Sequence, residues 1–120
     1  MDCYALADIA KELGKTNDYN ELSERGAKYS ANLNRLWNDE MDIYSNKRTD
    51  TNEFSTRLSP TCFYPLLTDV PDKAKISRMI KEHFYNPNEF YGDWMLPSVP
   101  KNGTSFEKTR LLARPHLGTY

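Results

Sequence analysis

Apolar residues recur three and four apart near the start of the chain. Leu6, Ile9, Ala10 and Leu13 fall at helical spacing, which predicts a helix over residues 2–13. Gly14 follows at the position where helices often end on a left-handed residue, and Lys11 and Lys15 suit the negative end of the helix dipole. Asn17 or Asp18 is placed to cap a second helix running to about residue 37. Its stripe is Leu22, Tyr29, Leu33, Leu36 and Trp37, and Gly26 and Ala27 leave room for close approach. The link between the helices is short, so an antiparallel hairpin is expected.

Residues 38–57 are polar, with Ile43, Tyr44 and Phe54 as their main apolar points. SNKRTDTN reads as an exposed turn between two short extended pieces, a β-like turn near residues 42–55. LSPTCFYPLL is an apolar cluster broken by Pro60 and Pro65. Asp69 or Val70 precedes a third predicted helix, with Pro71 in its first turn. Ile76, Met79, Ile80 and Phe84 form its stripe, and Asn86-Pro87 ends it. Residues 88–91 predict one helical turn, and GDWMLPSVPKNG a loop.

Three helices with one stripe each do not close a bundle. Each stripe needs a partner, so the pattern predicts an all-α fold that is a slice of a larger helical array. The first helix begins with no lead-in, which points the same way. Unsatisfied stripes would dock on a partner or make the chain self-associate. A length of 120 residues allows one domain at most. A net charge of -1 argues against nucleic acid or an anionic membrane as partner. A mean hydropathy of -0.79 with 38% hydrophobic residues leaves a thin core for a chain standing alone. No apolar run is long enough to span a bilayer, and no signal peptide is visible. Cys3 and Cys62 have no metal-type spacing and read as thiols of a reducing compartment, the cytoplasm.

Candidate chemistry is sparse. Asp39, Glu40 and Asp42 cluster after the second helix. Glycoside hydrolysis needs two carboxyls on opposite sides of a sugar, about 5–10 Å apart, and a cluster within one turn does not supply that. The cluster reads as a solvated turn. Asp93 lies between Gly92 and Trp94 in an aromatic loop. A sugar ring could stack on Trp94 or Tyr91 while Asp93 accepts its hydroxyl hydrogen bonds; packing anchors are the alternative reading of the same aromatics. His83, beside the third stripe, and His116 have no cysteine or carboxylate at ligand spacing, so no metal is expected. Neither a nucleophile elbow nor a phosphate-cradling glycine loop is present, and Ser59 and Ser98 read as turn formers. No cofactor and no catalytic residue are assigned.

DCYALADIAKELGK, LNRLWNDEMDIYSN, FSTRLSPTCFYPLL and NPNEFYGDWMLPSVP, taken in order, resemble a stretch of bacterial (α/α)6-barrel glycoside hydrolases. The group is that of glycoside hydrolase family 63 and the mannosylglycerate-hydrolase-like enzymes. The resemblance covers about residues 2–106 and implies a partial barrel domain over residues 1–106, in helical hairpins of the six-hairpin toroid type. FYPLL and LPSVP are moderately specific to the group. The LW-x-DE-x-x-x-Y element recurs in six-hairpin glycosidases generally and speaks for the fold more than for the substrate. The resemblance implies hydrolysis of α-linked glucosides or mannosides by acid–base catalysis. Tyr91, Asp93 and Trp94, and less directly Phe63 and Tyr64, would line the sugar site.

In that group the LPS loop is followed by a string like YWRGRIWGP. Here the basic run LLARPHLGTY stands instead. Permitted codons for it, CTA CTG GCG CGG CCG CAT CTG GGG ACC TAC, read one base later as TAC TGG CGC GGC CGC ATC TGG GGA CCT. That second frame spells YWRGRIWGP. Residues 107–120 are therefore expected to be a frameshifted tail. The group's general acid lies before the matched stretch and its general base after the YWRGRIW string. The resemblance thus implies a fragment that lacks both catalytic carboxylates. Two rival readings remain, a stand-alone helical interaction module and a non-catalytic carbohydrate binder using Trp94.

Overall fold

The computed structural model describes residues 1–106 and opens on two helices, α1 (Asp2–Glu12) and α2 (Thr16–Asn34). Gly14 has φ +70°, a conformation that costs glycine little. Its N–H donates to the Lys11 carbonyl at 3.1 Å, and that of Lys15 donates to the Ala10 carbonyl at 2.9 Å. This is a Schellman ending, as the position of the glycine predicts. It delivers Lys15 directly as the N-cap of α2, so the helix starts ahead of Asn17 and Asp18, and neither caps it. Asp18 instead sits in the first turn, where the helix dipole favours a carboxylate. The helix stops at Asn34 rather than near Trp37 because the chain is drawn into a β-hairpin: the Leu36 carbonyl accepts from Ser45 N–H at 2.9 Å.

The hairpin of α1 on α2 is built on small residues. α1 buries Ala7 and Ala10 and half-buries Cys3, while α2 buries Gly26. A Cβ on Gly26 would lie 2.9 Å from carbons of the Tyr4 ring, so the two helices meet where a side chain is missing. The predicted stripe fares otherwise. Ala10 is buried, but Leu6, Ile9 and Leu13 are 51%, 55% and 67% exposed. At about 100° per residue the two sets lie roughly a quarter turn apart around the helix, and the small-residue face meets the glycine.

The core forms further along. β1 (Trp37–Asn38) pairs antiparallel with β2 (Ile43–Tyr44), Trp37 opposite Tyr44 and Asn38 opposite Ile43. The Trp37 and Tyr44 rings meet edge-to-face at 5.2 Å. Asn38 Oδ1 accepts from the backbone N–H groups of Glu40 and Met41 and shapes the turn between the strands. Lys47 then pairs antiparallel with Phe54, and Ser55 N–H donates to the Asn46 carbonyl at 2.7 Å. This is the β-like turn expected near residues 42–55, closed by the two-point Arg48–Asp50 pair and by Asn52 at φ +61°. A 3-10 helix (Pro60–Leu67) follows and buries Cys62, Phe63 and Pro65.

α3 (Lys73–Met79) is capped by Asp72, whose Oδ1 accepts from Lys75 N–H at 2.8 Å. The cap therefore comes later than Asp69 or Val70, and Pro71 precedes it instead of lying in the first turn. The helix then widens into a π turn (Ile80–Phe84), closed by Tyr85 N–H on the Ile80 carbonyl, and stops at Asn86 and Pro87 as predicted. Its deepest face is Met79, fully buried, and His83; Ile76, Ile80 and Phe84 of the predicted stripe are half-buried. In place of the helical turn expected over residues 88–91, residues 87–90 form a hydrogen-bonded turn, with Tyr91 N–H on the Asn86 carbonyl at 3.1 Å. Phe63 lies edge-on to Phe84 and Phe90, and these rings with Ile43 and Met79 make the core. The described residues are mostly helical, with one two-stranded sheet, and fit an all-α segment of a glycosidase toroid. Among them no helix is long and apolar enough to cross a membrane, and both cysteines are free. The tail of residues 107–120 lies outside the described residues.

Candidate functional site

Residues 90–101 form a loop rooted in the core and carrying aromatics outward. Phe90, fully buried, fixes its start, and its carbonyl accepts from Leu96 N–H at 3.0 Å. Leu96 takes φ +54° to make that closure. At the far end Lys101 N–H donates to the Glu89 carbonyl at 2.9 Å. The Lys101 ammonium crosses back to the Tyr91 carbonyl at 2.6 Å, passing close over Gly92. Trp94 is 90% exposed, and Tyr91, Met95 and Leu96 are also exposed. The Tyr91 ring leans on Tyr85 with centroids 5.5 Å apart.

The root of the loop is held by a buried polar chain. His83 Nδ1 lies 2.5 Å from Glu89 Oε2, and His83 Nε2 lies 2.5 Å from the Met41 carbonyl. A carbonyl only accepts, so Nε2 is the donor to Met41, and Nδ1 faces the carboxylate. Both residues are buried, so neither partner has water as a substitute. This pair is not foreseen by the sequence, which places no carboxylate at ligand spacing from His83. The available signal was the six-residue spacing across the Asn86-Pro87 turn, which folds Glu89 back beside the π turn.

Tyr91, Asp93 and Trp94 share this one loop, and Asp93 is exposed beside Trp94. Phe63 does not join them. It is a core residue, and its ring meets the root of the loop at Phe90. Tyr64 is 62% exposed and lines a separate cavity of about 260 Å³ with Leu33, Leu36, Asn46, Pro65 and Thr68. None of Tyr91, Asp93 or Trp94 lines that cavity.

The acidic turn is more than a solvated one. Asp39 accepts from the Trp37 indole N–H at 2.7 Å, and Arg78 pairs with Asp42. The Arg78 guanidinium lies over the Trp37 ring at 5.5 Å, and Lys75 reaches the same ring at 5.3 Å while donating to Asn34 Oδ1. Asp39 and Asp42 therefore tie the β1–β2 hairpin to α3 through one tryptophan. No group of three or more His, Cys, Asp or Glu side chains suited to a metal occurs among the described residues.

One helical hairpin, the LW-x-DE turn, a proline-broken apolar segment and an outward aromatic loop follow one another along the chain. Residues 1–113 match the mannosylglycerate hydrolase MGH1-like glycoside hydrolase domain, and the chain belongs to that family. No curated protein matches the chain.

Proposed function

We propose that this chain is an internal segment of a cytoplasmic glycosidase acting on α-linked glucosides or mannosides, and that its residue 90–101 loop meets the sugar. The observation that carries the reading is Trp94, a large apolar ring 90% exposed on a loop braced at both ends. Leaving that ring in water is unfavourable unless something stacks on it, and sugar rings present the apolar faces that aromatic side chains take. Asp93 beside it is positioned to accept hydroxyl hydrogen bonds. Tyr91 extends the aromatic surface.

The catalytic carboxylates lie outside this segment in the proposed arrangement, the acid before it and the base after it. Acid–base catalysis contributes about 10²–10⁴-fold for a positioned group, so the chain alone should be inert. The coding coincidence at residues 111–120 supports a reading-frame change there, and the family match ends within that tail, at residue 113. The two free thiols are in keeping with the cytoplasm. Titrating glucose, mannose and small α-linked disaccharides against tryptophan fluorescence tests the loop. The other tryptophan, Trp37, is 8% exposed, so a sugar-dependent change reports Trp94. The expected result is a saturable change lost in Trp94→Ala, with no sugar hydrolysed. No response up to high millimolar sugar would remove the sugar-facing role, and turnover by this chain alone would remove the missing-carboxylate part. Sugar binding also fits a non-catalytic binder, favoured by the same exposed ring.

A further inference from the structure

The loop that carries Trp94 closes on three consecutive carbonyls. Glu89 O accepts from Lys101 N–H at 2.9 Å, Phe90 O from Leu96 N–H at 3.0 Å, and Tyr91 O from the Lys101 ammonium at 2.6 Å. Residues 89–91 are thus the platform of the loop. Phe90 is held there by apolar packing, fully buried and edge-on to Phe63 at 5.3 Å. Glu89 is held by a directional contact, its Oε2 lying 2.5 Å from His83 Nδ1. His83 is fixed in turn by the Met41 carbonyl, 2.5 Å from Nε2, and stands in the π turn, a widened helical geometry that recurs at functional sites. Both residues are buried among the chain's own side chains, so their contact does not depend on what lies beyond this segment.

A buried polar pair is a costly way to fill a core, since apolar residues of similar size often stabilise as well or better. What the pair adds is direction. Packed apolar groups can slide past one another, whereas hydrogen bonds at both ring nitrogens set a distance and an angle. We propose that His83, Glu89 and Lys101 are positioning residues for the sugar-facing loop. His83 sets Glu89, the Glu89 carbonyl holds the Lys101 backbone, and the Lys101 ammonium holds Tyr91. The aromatic surface is thereby presented already ordered. The purpose of this ordering rests on the sugar-facing role proposed above; the ordering itself does not.

The full chain carrying His83→Leu with Glu89→Met tests it. The two apolar side chains fill similar space, so far-UV circular dichroism and thermal melts should show a folded chain near the parent in stability. NMR order parameters of the backbone amides in residues 91–100 should nevertheless fall from about 0.85 to below about 0.6. Glucose or mannose, followed by tryptophan fluorescence, should bind about tenfold more weakly. Glu89→Gln keeps the side-chain length, and its amide can donate to Nδ1, so order and affinity should both be kept. Tyr4→Ala, which loosens the contact of α1 with α2, should leave both unchanged. Lys101→Met cuts the last link from the exposed side without touching the core. It should loosen the loop in the same way, and it decides the matter if the double variant fails to fold. A folded double variant, or a Lys101→Met chain, whose loop keeps the parent's order would overturn the proposal. So would a loss of order in Tyr4→Ala as large as in the double variant. If the parent chain binds neither sugar, the sugar reading falls, and the order parameters still decide the positioning.

Discussion

His83 Nδ1 sits 2.5 Å from Glu89 Oε2 in the buried interior, joining the π turn to the root of the Trp94 loop. The same imidazole reaches the Met41 carbonyl in the β1–β2 turn, so one side chain ties three segments together. Glu89 in turn accepts through its carbonyl from Lys101 N–H. The His83 contact thus fixes the residue whose carbonyl holds Lys101, so loss of the Glu89 side chain should be felt in the loop as well as in stability.

Glu89→Ala leaves His83 buried with one nitrogen unsatisfied, and His83→Ala strands the carboxylate. Breaking a buried pair by removing one partner costs about 3–5 kcal/mol. Urea unfolding should show a loss of that size for either variant. Limited proteolysis should show earlier cleavage within residues 90–101. Stability within about 0.5 kcal/mol of the parent chain, a size typical of unconstrained surface positions, would contradict the role of the pair.

Gly26 and Tyr4 should be coupled. Alanine at 26 gains about 1 kcal/mol of helix propensity but collides with the Tyr4 ring, and overpacking costs about 1–3 kcal/mol. Gly26→Ala alone should be neutral to destabilising. In a Tyr4→Ala background the collision is gone and the same change should stabilise by about 1 kcal/mol. A double-mutant cycle of thermal melts measures the difference, and strict additivity would show that the ring does not define the helix contact.

The Arg48 guanidinium beside Asp50 holds its carboxyl down at about 2, with the Thr51 N–H adding to the effect. A carboxyl depressed in the folded state stabilises above its unfolded value and loses that contribution as pH falls through the folded one. The Lys47–Phe54 turn should thus stay braced below the ordinary value of 3.8 and loosen only near 2. An NMR titration of the Asp50 side chain should show this midpoint. In Arg48→Ala the midpoint should return toward the ordinary value.

Burial raises the Tyr44 phenol above its ordinary 10.0, and the negative charge of Asp72 adds to the rise. A raised acid of this kind favours folding in its neutral form. Its contribution is complete below the unfolded value and is lost as pH climbs toward the folded one. Stability should begin to fall above about pH 10, and tyrosinate absorbance should show one late-titrating phenol that Asp72→Asn brings earlier.

Much of this was legible in the chain. Gly14 marked the end of α1, the polar SNKRTDTN run marked a turn, and Asn86-Pro87 marked where the third helix stops. Periodicity placed the helices correctly because an apolar stripe of any kind repeats at helical spacing. It could not say which stripe is buried. On α1 two faces compete, and the choice of Cys3, Ala7 and Ala10 over Leu6, Ile9 and Leu13 depends on a glycine in another helix. On α3 the π turn and the six-residue reach of Glu89 brought a histidine into the core beside Met79. Of the candidate site residues, Tyr91, Asp93 and Trp94 were legible together because they are neighbours in sequence. Phe63 and Tyr64 are also neighbours, but the 3-10 helix turns one inward and leaves the other exposed.

The central claim, that this chain is a segment of a longer glycosidase, is tested most directly by the DNA of its source locus. The reading should pass through codons 100–120 and well beyond in all three frames. The account predicts that an adjacent frame runs through YWRGRIWGP into further helical hairpins and a downstream glutamate. A stop closing the present frame, with neither neighbouring frame continuing the barrel, would contradict it.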